Sequence, residues 1–130
     1  MIAKGKVFQT QYIVSEKVYN GFRDTFEDYN PLHTDETFAK SKGFKGRVTY
    51  GNILNGFLSH FIGEVLPMKN IIIHAQKIKF SKPVFIDDEL MLTAEVAEVY
   101  ESVNVFVFKF TFLNTDKKSV AKGQIQIGVI

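Results

Sequence analysis

The residues with the clearest chemical potential lie in one short run, Asp28-Tyr29-Asn30-Pro31-Leu32-His33-Thr34-Asp35. A carboxylate and an imidazole flank an Asn-Pro step. Proline cannot continue a helix and pushes the residue before it out of the α region. On an unbroken helix a five-residue offset would send Asp28 and His33 to divergent faces. A break lets them converge, and a converging Asp/His pair suits general acid–base work. The same run also reads as a plain helix end and turn, because Asn-Pro is common turn chemistry. In that reading Asp28 sits at a helix C-terminus and Thr34 caps the next helix. Spacing alone leaves both readings open.

The elements that must position these residues follow from periodicity. Val7 to Val14 reads as a strand. Ser15 is an N-cap for a helix over about Glu16 to Glu27, with Val18, Phe22 and Phe26 on one apolar face and Tyr19 beside them. Asp35 to Lys40 reads as a short helix ended by Gly43, and Phe44 to Val48 as loop. Gly51 to Leu66 is the strongest helical segment. Ile53, Leu54, Phe57, Leu58, Phe61, Ile62, Val65 and Leu66 follow i, i+3, i+4 spacing, which predicts burial on most sides. Beyond Pro67 the pattern turns to strands over Ile71 to Phe80, Leu90 to Tyr100, Val103 to Leu113 and Val120 to Ile130. Asp87-Asp88 and Asn114-Thr115-Asp116 supply turns, with Glu101-Ser102 as a tight one, so the strands should be antiparallel. An α+β domain results, its antiparallel sheet wrapped around one long central helix.

Composition sets the limits. The 130 residues, 45% of them hydrophobic with 13 Phe and no Trp, suffice for one domain (1–130) with a real core. The absence of cysteine removes disulfides and thiolate chemistry, and suits a reducing cytoplasm. The N-terminus is too short and polar for a signal peptide, and no apolar run reaches the length of a membrane span. A soluble, cytoplasmic protein is expected. The formal charge is only +2 and the lysines and arginines are scattered, so no nucleic-acid partner is expected, though a mild positive bias favours anionic small molecules or carriers. No two of the three histidines, His33, His60 and His74, have metal-pair spacing, and no metal is expected.

In that order the motifs resemble the MaoC-like hot-dog proteins, in particular the R-specific enoyl-CoA hydratases. Phe26 through Phe38 is similar to the family's hydratase motif, and Gly46-Arg47-Val48-Thr49-Tyr50-Gly51 to its approach to the central helix. Leu66-Pro67, Lys79-Phe80-Ser81-Lys82-Pro83-Val84-Phe85 and Asp87-Asp88-Glu89-Leu90 fall where the family has its Leu-Pro and its Phe-x-x-Pro-Val-Phe strand. The resemblance implies a hot-dog fold, a homodimer or higher homo-oligomer with active sites near the interface, and no cofactor. The substrate would be carried as a CoA or acyl-carrier-protein thioester. It implies reversible syn addition of water to a trans-2-enoyl thioester, giving the (R)-3-hydroxyacyl thioester.

By position, Asp28 and His33 would be the catalytic pair, with Asp28 the principal base and His33 the proton donor. Asn30 would support their geometry, and the Gly51 amide would serve the oxyanion hole. Ser59 matches a hydroxyl residue of the hydratases, although a bond to a backbone carbonyl within its own helix is the stronger reading. Tyr50 and Asn52 depart from the family's usual His and Met and are expected beside the substrate carbonyl, where Asn52 would suit a short or polar acyl group. Asp87 replaces a usual turn glycine. Lys45, Arg47 and Lys82 are candidates for CoA phosphates, or plain surface charges. Three alternatives remain: a 3-hydroxyacyl-carrier-protein dehydratase, a hot-dog thioesterase, or a non-catalytic acyl-binding module. The thioesterase reading lacks an acid early on the central helix, where Asn52 and Asn55 stand.

Overall fold

The computed structural model describes residues 2–130; Met1, the first residue of the expected domain, lies outside the described residues. The chain runs β1 (Val7–Ile13), α1 (Glu16–Phe26), α2 (Pro31–Thr34), α3 (Glu36–Ser41), α4 (Asn52–His60), β2 (Ile71–Phe80), β3 (Glu89–Tyr100), β4 (Val105–Leu113) and β5 (Ser119–Val129). The five strands form one antiparallel sheet in the order β1-β3-β4-β5-β2. Alternation explains the layers. On β4, Phe106, Phe108, Phe110 and Phe112 are buried, while Val105, Val107, Lys109 and Thr111 stand on the other face. The buried row meets α4 through Ile53, Leu54, Phe57 and Leu58 in one core.

Two expectations change. The central helix does not run evenly from 51 to 66, because after His60 it widens into a π-helical turn over Phe61–Val65. There Leu66 N–H donates to Phe61 O at 3.2 Å. The wider turn brings Phe61, Ile62 and Leu66 into the core while Gly63 and Glu64 stay outside. Nor is the helix buried on most sides. Asn52, Gly56, Ser59 and Gly63 form an exposed stripe between the large apolar residues. Phe26 shares the apolar face of α1 with Val18 and Phe22, its ring 4.8 Å from that of Phe22, yet stands 67% exposed.

Two backbone details hold the sheet and its turn. Asp87 adopts φ 72°, the left-handed turn position its sequence context suggested. At Gly123 a Cβ atom would come within 1.8 Å of the Lys77 carbonyl oxygen, so only glycine lets β2 lie this close to β5.

Candidate active site

The site grows from the end of α1. Ser15 caps that helix by accepting from Val18 N–H at 3.2 Å, and Glu27 ends it in the left-handed conformation, φ 55°. The reversal turns the chain so that the Asp28 carboxylate accepts the Asn30 N–H at 3.1 Å. Asn30 in turn caps a new helix, its Oδ1 accepting Leu32 N–H at 3.0 Å, with Pro31 at the first helical position. His33 therefore lies in a helical turn, α2, where a loop was expected. Proline stops a helix that runs into it, but at the first position of a new one its missing N–H costs nothing. The cap of α3 also moves: Asp35 accepts from Phe38 N–H at 3.0 Å, while the Thr34 hydroxyl turns back to the carbonyls of Tyr29 and Asn30.

His33 is held from two sides. Its carbonyl accepts the Tyr19 hydroxyl at 2.6 Å, and its Nδ1 lies 2.7 Å from the Val48 carbonyl oxygen. A carbonyl can only accept, so Nδ1 carries a proton and Nε2 is the nitrogen free for chemistry. The Tyr50 ring lies 4.4 Å from the imidazole, 4.7 Å from Phe22 and 5.5 Å from Tyr19. Its hydroxyl donates to the Asp28 carbonyl oxygen. Tyr50 is 2% exposed, and burial, with smaller contributions from Tyr19 and Asp28, pushes its phenol up to about 12. This corrects the expectation that Tyr50 sits beside the substrate. Its side chain points back under α1, where it is a neutral brace between the Asp28 and His33 segments.

Asp28 and His33 line two different cavities. Asp28 opens onto a groove of about 920 Å³ between α1 and α4, walled by Val18, Phe22, Phe26, Ile53 and Phe57, with Asn52 and Asn55 at its polar side. His33 lines a second cavity of about 370 Å³ with Gly51, Phe80, Lys82 and Val84. Gly51 lines the second cavity and its chain neighbour Asn52 the first. No hydrogen bond joins Asp28 directly to His33; Asn30 links them, donating its N–H to the carboxylate and accepting His33 N–H on its carbonyl at 2.9 Å.

Gly51 begins α4, and neither its N–H nor that of Asn52 finds an acceptor among the described residues. These two donors sit at the positive end of a helix dipole. The Phe80 ring lies over Gly51, 3.1 Å from where a Cβ would be, so a side chain there would push the ring away.

Other expected residues fall elsewhere. Ser59 is on the exposed stripe of α4 and lines neither cavity. Lys45 lies over the Phe85 ring and Arg47 over Tyr19, whereas Lys82 reaches the His33 cavity. His60 bonds the Tyr12 hydroxyl at 2.9 Å, and His74 lies near Gln126. Among the described residues no three His, Asp or Glu side chains are grouped to hold a metal, and no helix is long and apolar enough to cross a membrane.

Sequence reasoning missed an amide chain at the groove. Asn55 donates to Asn52 Oδ1 at 2.8 Å, and Gln76 of β2 donates to Asn55 Oδ1. The i, i+3 spacing of the two asparagines was its one visible signal.

An antiparallel sheet packed on one central helix is the hot-dog arrangement. The chain belongs to the MaoC-like family: the MaoC like domain matches residues 2–116. An (R)-specific enoyl-CoA hydratase of Aeromonas caviae is 37% identical over 75 residues, covering 58% of this chain. The match spans only 56% of that hydratase. A mitochondrial 3-hydroxyacyl-[acyl-carrier-protein] dehydratase of Arabidopsis thaliana is 24% identical over 95% of this chain and 75% of its own length. Among solved structures, the unliganded R-hydratase PhaJ1 of Pseudomonas aeruginosa superposes with a TM-score of 0.89 at 26% identity, covering 98% of this chain and 82% of that one.

Proposed function

We propose that this protein hydrates trans-2-enoyl thioesters to (R)-3-hydroxyacyl thioesters, and runs the reverse dehydration, with Asp28 and His33 as its acid–base pair. The observation that carries the proposal is the Asp28–Asn30–His33 turn, with His33 Nδ1 anchored on Val48 and Nε2 left free beside Gly51.

In the hydration direction the Asp28 carboxylate takes a proton from water as the water oxygen bonds to the β-carbon. The alkene electrons move toward the thioester carbonyl, whose oxygen gains negative charge. The N–H groups of Gly51 and Asn52 stabilise that charge. His33 enters the step as the imidazolium, with protons on both Nδ1 and Nε2. It gives the Nε2 proton to the α-carbon on the same face and is left as the neutral Nδ1–H form. Solvent then carries the proton taken by Asp28 back to Nε2, which resets the pair. The larger groove takes the acyl chain, which suits an apolar chain more than the short or polar one that Asn52 alone suggested. Asn52 and Asn55 meet a polar substituent where there is one.

A homodimer belongs to the same proposal. Strand β2 ends the sheet with an unpaired edge and leaves Ile72 49%, Ile73 39% and Phe80 47% exposed. Such an edge invites pairing with a second copy. Because Phe80 covers Gly51, that pairing would complete the wall of the His33 cavity.

The test is loss of the conjugated enoyl absorbance when purified protein meets crotonyl-CoA. Rapid loss with wild type and little with Asp28→Asn supports the reading; equal rates for the two proteins contradict it. The dehydratase on a carrier protein is the second reading, and a basic face of the sheet favours it.

A further inference from the structure

The sheet face turned away from α4 carries a concentrated positive patch. In the register of β2, β5 and β4, Lys79 stands opposite Lys122, which stands opposite Thr111. One row along, Lys77 stands opposite Gln124, which stands opposite Lys109. The intervening row, Ile78, Gly123 and Phe110, points to the helix side. All four lysines are exposed and none is in an ion pair among the described residues. Strands β2, β4 and β5 contain no Asp or Glu, and the nearest acid in register is Glu95, opposite Lys109 on β3. Together the lysines rim a depression of about 440 Å³ floored by Thr111 and Gln124.

Lys79 and Lys122 stand directly opposite one another, which destabilises a sheet, so that pair needs a reason. Protection of an exposed edge explains Lys77 and Lys79 on β2. It does not explain Lys122, which lies on an interior strand with no edge to protect and faces Lys79; Lys109, also interior, has Glu95 opposite it on one side only. Neighbouring strands are about 4.8 Å apart, and same-face residues along a strand about 7 Å apart. Four charges therefore share a patch roughly 10–15 Å across. The formal charge of the whole chain is only +2, so the remainder is net negative and the field is localised.

We propose that this face docks an acidic acyl carrier protein that presents the thioester substrate, an inference that rests on the activity proposed above. Charge complementarity is the first argument. Position is the second: β2 runs from Lys77 and Lys79 directly into Phe80, Ser81 and Lys82, which line the His33 cavity. A carrier seated on the patch has its tethered acyl group beside that opening. Pairing of a second copy along the β2 edge uses backbone groups and leaves this face free. The patch has no aromatic ring to stack a base and is too small for a run of nucleic-acid phosphates, which favours an acidic protein surface.

The experiment compares crotonyl-acyl-carrier-protein with crotonyl-CoA as substrates for wild type and for Lys109→Glu/Lys122→Glu. Expected is a loss of about tenfold or more in kcat/KM on the carrier substrate, with less than about twofold change on crotonyl-CoA. Equal effects on both substrates, or none on either, overturn the proposal. If the charge reversal unfolds the protein, Lys109→Gln/Lys122→Gln replaces it with the same expectations. Should wild type turn over neither substrate, the catalytic reading fails, and docking is read by anisotropy of a fluorescently labelled carrier protein. Salt-sensitive binding that the variant loses then supports the docking face. No binding at low salt, or equal binding of a DNA duplex, overturns it.

Discussion

The two cavities on either side of the Gly51-Asn52 step in sequence are built differently. The Asp28 groove is wide and apolar, walled by side chains of α1 and α4, with one carboxylate and two amides at its margin. The His33 cavity is less than half as large and lies where α2, the start of α4 and the end of β2 come together, with backbone donors and Lys82 around it. One suits the binding of a hydrocarbon chain and the other the handling of charge. Tyr50 links the two segments, its ring packed against the imidazole of one and its hydroxyl bonded to the backbone of the other.

Changes to the reacting groups should cost most. Asp28→Asn or His33→Gln should each lower kcat by around 10²–10⁴-fold with little change in thermal unfolding. A large drop in melting temperature in step with the activity would instead make these residues structural.

Filling the groove should act next, and selectively. Gly56 lines it, and a Cβ there would meet nothing within 4 Å. Gly56→Leu should fold at least as well as wild type, keep crotonyl-CoA turnover and lose about tenfold or more on an octenoyl thioester. A uniform loss across chain lengths would place the acyl chain elsewhere.

Cutting the link should cost less. Tyr50→Phe removes the hydroxyl that donates to the Asp28 carbonyl, and should lower stability by about 1 kcal/mol in urea unfolding. An unchanged midpoint would mean that the ring alone joins the two segments.

The smallest effect is in alkali. Burial pushes both Tyr50 and Tyr12 up to about 12. Their neutral forms are favoured in the folded state, so the native protein keeps protons that the unfolded chain has lost. This contribution is complete below about pH 10, the value for an unperturbed phenol, and is lost as pH rises toward about 12. Ultraviolet titration should show two tyrosines ionising late, together with loss of the fold. Five tyrosines ionising together near pH 10 in a folded protein would contradict this.

How far the sequence reached differs by region. Strands and their turns were legible, because period-two alternation and turn residues act locally; β2 was placed residue for residue and the others within two. The Asp28–His33 segment was legible as chemistry but not as geometry. Proline was read as a stop, although Asn30 before it makes Pro31 the first residue of α2. Tyr50 was misplaced because adjacency to Gly51 says nothing about which way a side chain turns. The central helix was overread: its large residues outweighed the interleaved Asn52, Gly56, Ser59 and Gly63. The lysine patch was out of reach, since residues 77, 79, 109 and 122 look scattered until strand register brings them together.

The central claim is that Asp28 and His33, held together by the Asn30 turn, act on one substrate. A double-mutant comparison tests it directly: kcat on crotonyl-CoA for Asp28→Asn, His33→Gln and the two combined. Groups that act as a unit are non-additive, so the double variant should be scarcely slower than the slower single one. Losses that multiply would show two independent contributions, and contradict the pair.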